Sequence, residues 1–307
     1  MAFLLLRETS RFVMFDFRLQ VFEMVVRLKS FTAAAHALFV SQPAISKHIK
    51  ALEEHWGIPL FIRRGNEIQL TAAGERLHEH VMGIMQKYAQ MDFAMQEFKG
   101  SYSGTLRIAA STTIAQYILP KYLSEFKAQH PEIIIHLESG NTTEVENLVR
   151  QNQVDFGLSE GDTFHHGLKY DDLWQDDLLM VCRKGSQWKK QWEAKGLEAL
   201  PKMPFVFRET GSGTLVVIEH YLQNKGVRLN QMNIQMMLGS TEAIKSYLRH
   251  TDVCAFLPQC AIEDELLHRL EIIDAKQWHI KRPLFLVQHG QQVLSDLGGL
   301  FLRFLKS

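Results

Sequence analysis

Cysteine is scarce in this 307-residue chain: there are three, Cys182, Cys254 and Cys260, an odd number with no Cys-x-x-Cys pair. That excludes a disulfide framework and a cysteine zinc site, and it points to a reducing, cytoplasmic compartment. Long apolar runs are absent too, so a soluble protein without a membrane partner is expected. The opening MAFLLLRETSRFV has only a short apolar piece, followed by Arg7 and Glu8 with no small-residue cleavage site, which argues against a signal peptide. Residues 1–13 are expected to be a disordered extension, and Met14 is an alternative start. Net charge is missing as well, with 34 Lys and Arg against 34 Asp and Glu, which excludes a wholesale nucleic-acid coat protein. The balance is uneven along the chain, however: residues 1–71 carry 9 basic against 6 acidic side chains, and residues 101–307 carry 22 against 24. A small basic head on a near-neutral body fits DNA reading better than coating.

Chemistry-bearing constellations are also wanting. His165-His166 has no Cys, Asp or third His nearby in sequence, so it reads as a solvated loop and no metal is expected. Gly211-Ser212-Gly213 lacks the Gly-Lys-Ser/Thr that would make a phosphate loop, and Ser212 is not in a Gly-x-Ser-x-Gly elbow. No acid–base pair or activated nucleophile assembles elsewhere, so no catalytic residue, no cofactor and no enzymatic activity are expected.

What is present centres on Ser30–Arg64, which reads as two short helices, a tight turn and a basic hairpin. In the second helix Ile45, Ile49, Leu52 and Trp56 fall on one stripe, while Gln42, Pro43, Ser46, Lys47 and Lys50 centre about 130° away. One face suits a core; the other offers an amide, a hydroxyl and two ammonium groups to base edges and phosphates. Ser41 is placed to cap the helix, Pro43 is tolerated in its first turn, and Thr32 lies near the start of the helix before it. Leu19, Phe22, Val25 and Val26 on a preceding helix over about Asp16–Lys29, with Trp56, Ile58, Leu60 and Phe61, would complete the core. Gly65-Asn66 between alternating segments marks a β-hairpin carrying Arg63 and Arg64 toward the DNA backbone or minor groove. An ordinary helical hairpin buried in some core is the alternative.

The run Ser30-Phe31-Thr32, Ala34-Ala35, Leu38, Val40-Ser41-Gln42-Pro43-Ala44, Ile45-Ser46, Ile49, Leu52-Glu53, Gly57, Leu60-Phe61, Arg63-Arg64 and Leu70-Thr71-Ala73-Gly74 resembles the signature of LysR-type transcriptional regulators, without a gap. The resemblance implies an N-terminal winged helix-turn-helix joined by a long linker helix to an α/β two-lobed effector domain like the periplasmic binding proteins. It implies a head over 14–71, a linker helix over 72–99, a first lobe from 100–166 and 281–307, and a second lobe over 167–280. The chain would cross between lobes near Gln175–Asp177 and return near Ile280–Pro283. Double-stranded DNA with a dyad-symmetric operator and a small-molecule effector are the implied partners. RNA polymerase is a further partner it allows, and family members often form tetramers from two kinds of dimer. A solute-binding protein or an enzyme with an appended DNA-binding head is the competing reading.

Beyond the hairpin, Thr71–Phe98 reads as one helix. Leu77, Val81, Ile84, Tyr88, Met91, Met95 and Phe98 recur at alternating steps of four and three, a heptad seam that a second subunit would cover. Packing on the chain's own body is the alternative. After a Gly/Ser linker around Tyr102, strand-like and helix-like segments alternate, which predicts βαβ units and a mostly parallel sheet. Polar residues cluster where these strands would end: Ser111-Thr112-Thr113, Asn141-Thr142, Glu160, Arg208, Thr214 and Ser240. Ligands of open α/β sheets bind beyond such ends, and helix starts favour anions. These nine residues are therefore the candidate effector contacts, Ser111 and Thr113 first by resemblance. Each hydroxyl, taken alone, reads equally as a helix cap. Arg208 would pair with an acid of the ligand, or simply with Glu209. Sulfur oxyanions, carboxylates and amino-acid derivatives all suit this set.

Overall fold

A computed structural model describes residues 16–64, 67–98, 101–161, 164–262, 269–273, 279–291 and 294–306. The proposed N-terminal extension, the Gly65-Asn66 turn and Lys99-Gly100 of the linker lie outside these residues. The chain divides into two compact units, Met1–Gly100 and Ser101–Ser307.

The first unit begins with α1 (Phe17–Leu28), α2 (Phe31–Ala37) and α3 (Gln42–Trp56). Each starts at a side-chain cap: Asp16 accepts from the Arg18 amide, Ser30 from Ala33 and Ser41 from Ala44. The turn into α3 is closed by Phe39 at φ 56°, and α3 ends on Gly57 in the left-handed region. Val21, Phe22, Val25, Ala34, Ile45, Ile49 and Leu52 form a dry core. The strands β1 (Phe61–Arg64) and β2 (Glu67–Leu70) pair antiparallel, Phe61 opposite Leu70 and Arg64 opposite Glu67. Glu53 of α3 ties the wing down, its Oε1 accepting from the amides of Leu60 (2.7 Å) and Phe61 (3.4 Å). The long α4 (Ala72–Phe98) is capped by Thr71, whose Oγ1 accepts from Gly74 N at 3.0 Å and donates to Pro59 O at 2.7 Å. Gly74 has no room for a side chain, because a Cβ there would collide with the Leu60 carbonyl oxygen.

Two expectations fail here. Trp56 and Ile58 are not core residues: they are 44% and 48% exposed, Trp56 on the core stripe but in the last turn of α3, where the helix runs out of neighbours, and Ile58 beyond the Gly57 cap. The heptad seam is also divided. Val81 is fully buried, and Leu77 and Tyr88 pack against the head's own core, so the first half of the seam is already used. Ile84, Met91, Met95 and Phe98 remain 43%, 43%, 53% and 86% exposed.

The second unit is built on one nine-stranded mixed sheet. In chain order its elements are β3 (Gly104–Ser111), α5 (Leu119–Gln129, entered through a π-turn at Ile114–Ile118), β4 (Ile133–Gly140), α6 (Thr142–Arg150), β5 (Phe156–Glu160), β6 (Leu168–Arg183), α7 (Gln187–Lys195), β7 (Pro204–Arg208), α8 (Gly213–Asn224), β8 (Asn233–Leu238), α9 (Thr241–His250), β9 (Cys254–Pro258), β10 (Leu270–Ile272), β11 (His279–His289) and α10 (Asp296–Lys306). The strand order is β4-β3-β5-β11-β6-β9-β7-β8, with β10 on β6. The prediction of a mostly parallel sheet holds within each half only: β4, β3 and β5 are parallel, as are β8, β7 and β9. The middle is antiparallel, since β6 and β11 run past both halves paired to each other from Leu168–His289 to Leu179–His279. They are the two crossings between lobes, Asp176 lying opposite Arg282. Antiparallel pairing turns both sets of parallel strands so that their carboxyl ends point at this crossing: Glu160 is beside Leu284, and Pro258 beside Leu178.

Cys182 and Cys254, distant in sequence, face each other across β6 and β9, yet both are buried free thiols. Burial pushes Cys182 up to about 12 and Cys254 higher still, so neither forms a thiolate at neutral pH.

The burial contrast in the head is testable. Ile45→Ala is expected to destabilise it by about 2–4 kcal/mol, and Ile58→Ala by less than about 1 kcal/mol. Urea titration of the full chain, followed by hydrogen exchange at the amides of α1 and α3, measures both.

Candidate DNA-reading face and interlobe cleft

The outer face of α3 is displayed as its periodicity requires. Ser41, Gln42, Pro43, Lys47 and Lys50 are exposed, Ser46 is half-buried, and Thr32 on α2 is exposed. The Gln42 amide donates to Ser46 Oγ at 3.0 Å, which holds it along the helix, and Lys50 sits 3.5 Å from Glu54. Both contacts are exposed and weak, so a stronger partner displaces them at little cost. Arg63 and Arg64 lie in β1; their side chains are outside the described structure.

The second site is formed by strand ends from both lobes. Ser111 closes β3 and is buried, its Oγ accepting from Ile114 N at 3.4 Å. Asn141 caps α6 in a reciprocal capping box with Glu144. Thr142 bridges the lobes, its Oγ1 donating to Glu160 O at 2.9 Å and accepting from Gly213 N at 3.1 Å. Beside it Thr143 N donates to Gly211 O at 3.2 Å. This approach needs Gly213, since a Cβ would collide with the Glu160 carbonyl oxygen. Across the cleft Tyr117 donates to Glu242, and Lys245 pairs with Glu242 at 2.8 Å while lying 5.2 Å above the Tyr117 ring. The lobes are therefore in contact at two places. Ser240 caps α9, accepting from Ala243 N at 3.1 Å.

Ion pairs occupy the rest. Arg282 is the largest fully buried side chain; it binds Asp176, Glu160 Oε1 at 3.4 Å and Thr214 Oγ1 at 2.7 Å. Thr214 in turn donates to Glu160 Oε1 at 3.2 Å. Arg208 is paired along one edge with Glu209, at 2.7 and 2.8 Å, so it is not the free cation that an acid-binding role would use in full. Burial pushes the Glu209 carboxyl up, but the Arg208 hydrogen bonds and charge outweigh it and hold the group below its ordinary value. Six polar atoms of this region are buried without a hydrogen-bond partner among the described residues: Thr112 Oγ1, Thr113 Oγ1, Glu160 Oε2, Arg208 Nη1, Ser212 Oγ and Arg282 Nε. Such atoms are costly unless something meets them.

The LysR substrate binding domain matches residues 99–307, and the helix-turn-helix of the bacterial lysR regulatory family matches residues 17–75. This chain belongs to the LysR family of transcriptional regulators. The regulator is 32% identical to a probable RuBisCO transcriptional regulator of Thalassiosira pseudonana, over 88% of this chain and 90% of that one. It is 29% identical to CysL of Bacillus subtilis, over 94% and 96%. Among solved structures, the CcmR regulatory domain of Synechocystis in complex with 2-PG aligns with TM-score 0.58 and 25% identity, covering 66% of this chain and 96% of that one. Full-length CbnR with its target DNA shares the fold, at TM-score 0.54 and 20% identity over 94% and 98%. The regulator is thus a DNA-binding protein with an effector-binding domain.

Of the residues singled out from sequence, Thr142 and Thr214 both bond Glu160, Arg208 neighbours them through Glu209 and Asn141, and Ser240 is occupied as a cap. Sequence reasoning missed Arg282, Asp176, Tyr117 and Lys245. The available signal for Arg282 was a charge inside the apolar strand Leu284–Val287 and its lead-in, next to Pro283. His165 is an exposed loop residue, as expected, with its Nε2 3.4 Å from the buried carboxylate of Glu146, an acid from a helix distant in sequence. No group of three metal-ligating side chains occurs among the described residues.

Two carboxyls give opposite pH behaviour. Burial pushes Glu242 up, but Lys245 and Tyr117 outweigh it and leave its value lowered, so its stabilising contribution is full above the unfolded carboxyl range and disappears as pH falls through the folded value. Glu146 is raised by burial despite the Tyr170 hydrogen bond, so its ionised form costs stability above its folded value. Glu242→Gln should therefore lower Tm at neutral pH with the difference fading in acid. Glu146→Gln should hold or raise Tm at neutral pH. Calorimetric scans from acid to neutral pH decide both.

Proposed function

We propose that the regulator works as a homodimer, assembling further to a tetramer, that reads a dyad-symmetric operator in the cytoplasm and responds to a small acidic effector between its lobes without catalysing a reaction. The observation that carries the reading is the division of α3 into a dry face, Ile45, Ile49 and Leu52, and an exposed face of amide, hydroxyl and ammonium groups. In this reading Gln42 and Ser46, with Pro43 beside them, meet base edges in the major groove. Thr32, Ser41, Lys47 and Lys50 meet phosphates, and Arg63 and Arg64 extend along the backbone from the wing.

The exposed half of the α4 seam supports dimerisation. Glu79, His80, Gly83, Ile84, Lys87, Tyr88 and Met91 line a groove along it, and Met95 and Phe98 continue the apolar row. Val81 and Leu77, spent on the head's own core, contribute to the seam only by stiffening it. Two heads held this way fall about one DNA turn or more apart.

In the effector domain, the complex of the related CcmR domain with 2-PG supports a small-molecule ligand. Its acid group would meet Ser111, Thr112, Thr113 and the unpaired edge of Arg208, with Asn141, Thr142, Thr214 and Ser240 shaping the walls. Binding shifts the population between open and closed lobes, and that shift alters how the paired heads engage DNA, and with it contacts to RNA polymerase.

Gln42→Ala should lose affinity for a duplex selected by the wild-type chain, by about tenfold, while keeping non-specific binding. Lys50→Ala should weaken all duplexes and reduce the salt slope by about one. Unchanged selected-site affinity in both, measured by fluorescence anisotropy, contradicts the assigned face. Separately, Met91→Glu or Ile84→Glu should yield monomers in analytical ultracentrifugation; persistence of the native mass would place the dimer contact elsewhere.

A further inference from the structure

The charge balance at the crossing is not the one a simple anion site has. Glu160, Asp176 and Glu209 supply three carboxylates, against the two guanidiniums of Arg208 and Arg282. Both cations are already engaged: Arg208 is paired with Glu209, and Arg282 is shared by Glu160 and Asp176. Glu160 is 2% exposed. Its Oε1 is met by Thr214 and Arg282, and its Oε2 by nothing among the described residues. A buried carboxylate oxygen is an acceptor only, so whatever meets it must donate. In the same region the other orphaned atoms are three hydroxyls and two guanidinium nitrogens, those of Thr112, Thr113 and Ser212 with Arg208 Nη1 and Arg282 Nε, all able to donate to a ligand oxygen. The parallel register of β3 and β5, Ala110 beside Leu158, puts the end of β3 at Ser111, which Thr112 and Thr113 follow, at the same end of the sheet as Glu160. Gly213, next to Ser212, touches Glu160 on the other side.

We infer that the effector is a small acid that also carries a hydrogen-bond donor, a hydroxyl or an ammonium group, and that Glu160 selects it by accepting from that donor. This rests on the reading of the cleft as a small-acid site. A plain anion leaves Glu160 Oε2 unmet and brings a second negative charge beside it. A hydroxy acid satisfies the oxygen, and an amino acid satisfies it while also cancelling the excess charge. A site built to bond a ligand hydroxyl or amine rejects the analogue lacking it far more strongly than an apolar pocket does.

The test is calorimetric titration of the full-length regulator with probes matched in their acid group: propionate, lactate and alanine, and ethyl phosphate with 2-hydroxyethyl phosphate. The hydroxyl- or ammonium-bearing member of at least one set should bind about tenfold tighter than its plain partner. Lactate and alanine distinguish the two donors. In Glu160→Gln the donor-bearing probe should weaken while the plain acid holds or tightens, because a repelling charge has gone; a merely structural role for Glu160 would weaken both. Should that variant not fold, Thr113→Val gives the second arm, with both probes weakened and their ratio kept. Plain acids binding as well as their partners, or an unchanged ratio in Glu160→Gln, overturns the inference and leaves the small-acid cleft standing. Failure of every probe to bind the wild type overturns the cleft reading itself, and the inference with it.

Discussion

Arg282 holds the effector domain's two halves at one point. It leaves β11 where that strand passes from one lobe to the other, and it meets Asp176 on the neighbouring crossing strand, Glu160 at the end of β5 and Thr214 at the start of α8. A guanidinium without solvent is costly unless charges and hydrogen bonds meet it, and removing any partner adds an uncompensated burial cost. The side chain therefore fixes the register of the two crossings, the height of the β5 end and the place where α8 begins. Those are the positions from which the cleft is built. The cleft hydroxyls inherit their geometry from it.

The same constraint explains why the cleft is polar yet not simply cationic. Strand ends and helix starts supply amides and hydroxyls, many spent on capping: Asn141 on α6, Ser240 on α9, Ser111 on the turn after β3. What remains for a ligand is the smaller set that capping and ion pairing leave over. In the head, the balance is different. There the described buried side chains are apolar apart from Gln20, and the outward face of α3 makes only weak, exposed contacts within its own helix.

How far this was legible in the sequence follows from the range of the forces involved. The helix-turn-helix was readable because its signals are local: a tight turn, a cap at Ser41 and a stripe at Ile45, Ile49 and Leu52. The two-lobed fold came from resemblance, and the alternation of segments supported it, but periodicity carried no sign of the antiparallel crossings, whose partners Leu168–Leu179 and His279–His289 are about a hundred residues apart. The strand ends were found as polar clusters, whereas their division into caps and free donors was not, because that depends on which backbone amide happens to lie above each hydroxyl. Arg282 and Asp176 were missed for the same reason: each is an ordinary charge until the fold brings them together. Trp56 and Ile58 looked like core because composition says nothing of where a helix runs out of neighbours.

The most direct test of Arg282 as the organising contact is a double-mutant cycle with Asp176 in the full-length protein, followed by chemical denaturation of the effector domain. Arg282→Met and Asp176→Asn should each cost about 3 kcal/mol or more alone, and together much less than their sum, leaving a coupling of about 2 kcal/mol. Additive losses would contradict the account, showing that the two side chains lie at the crossing without holding it.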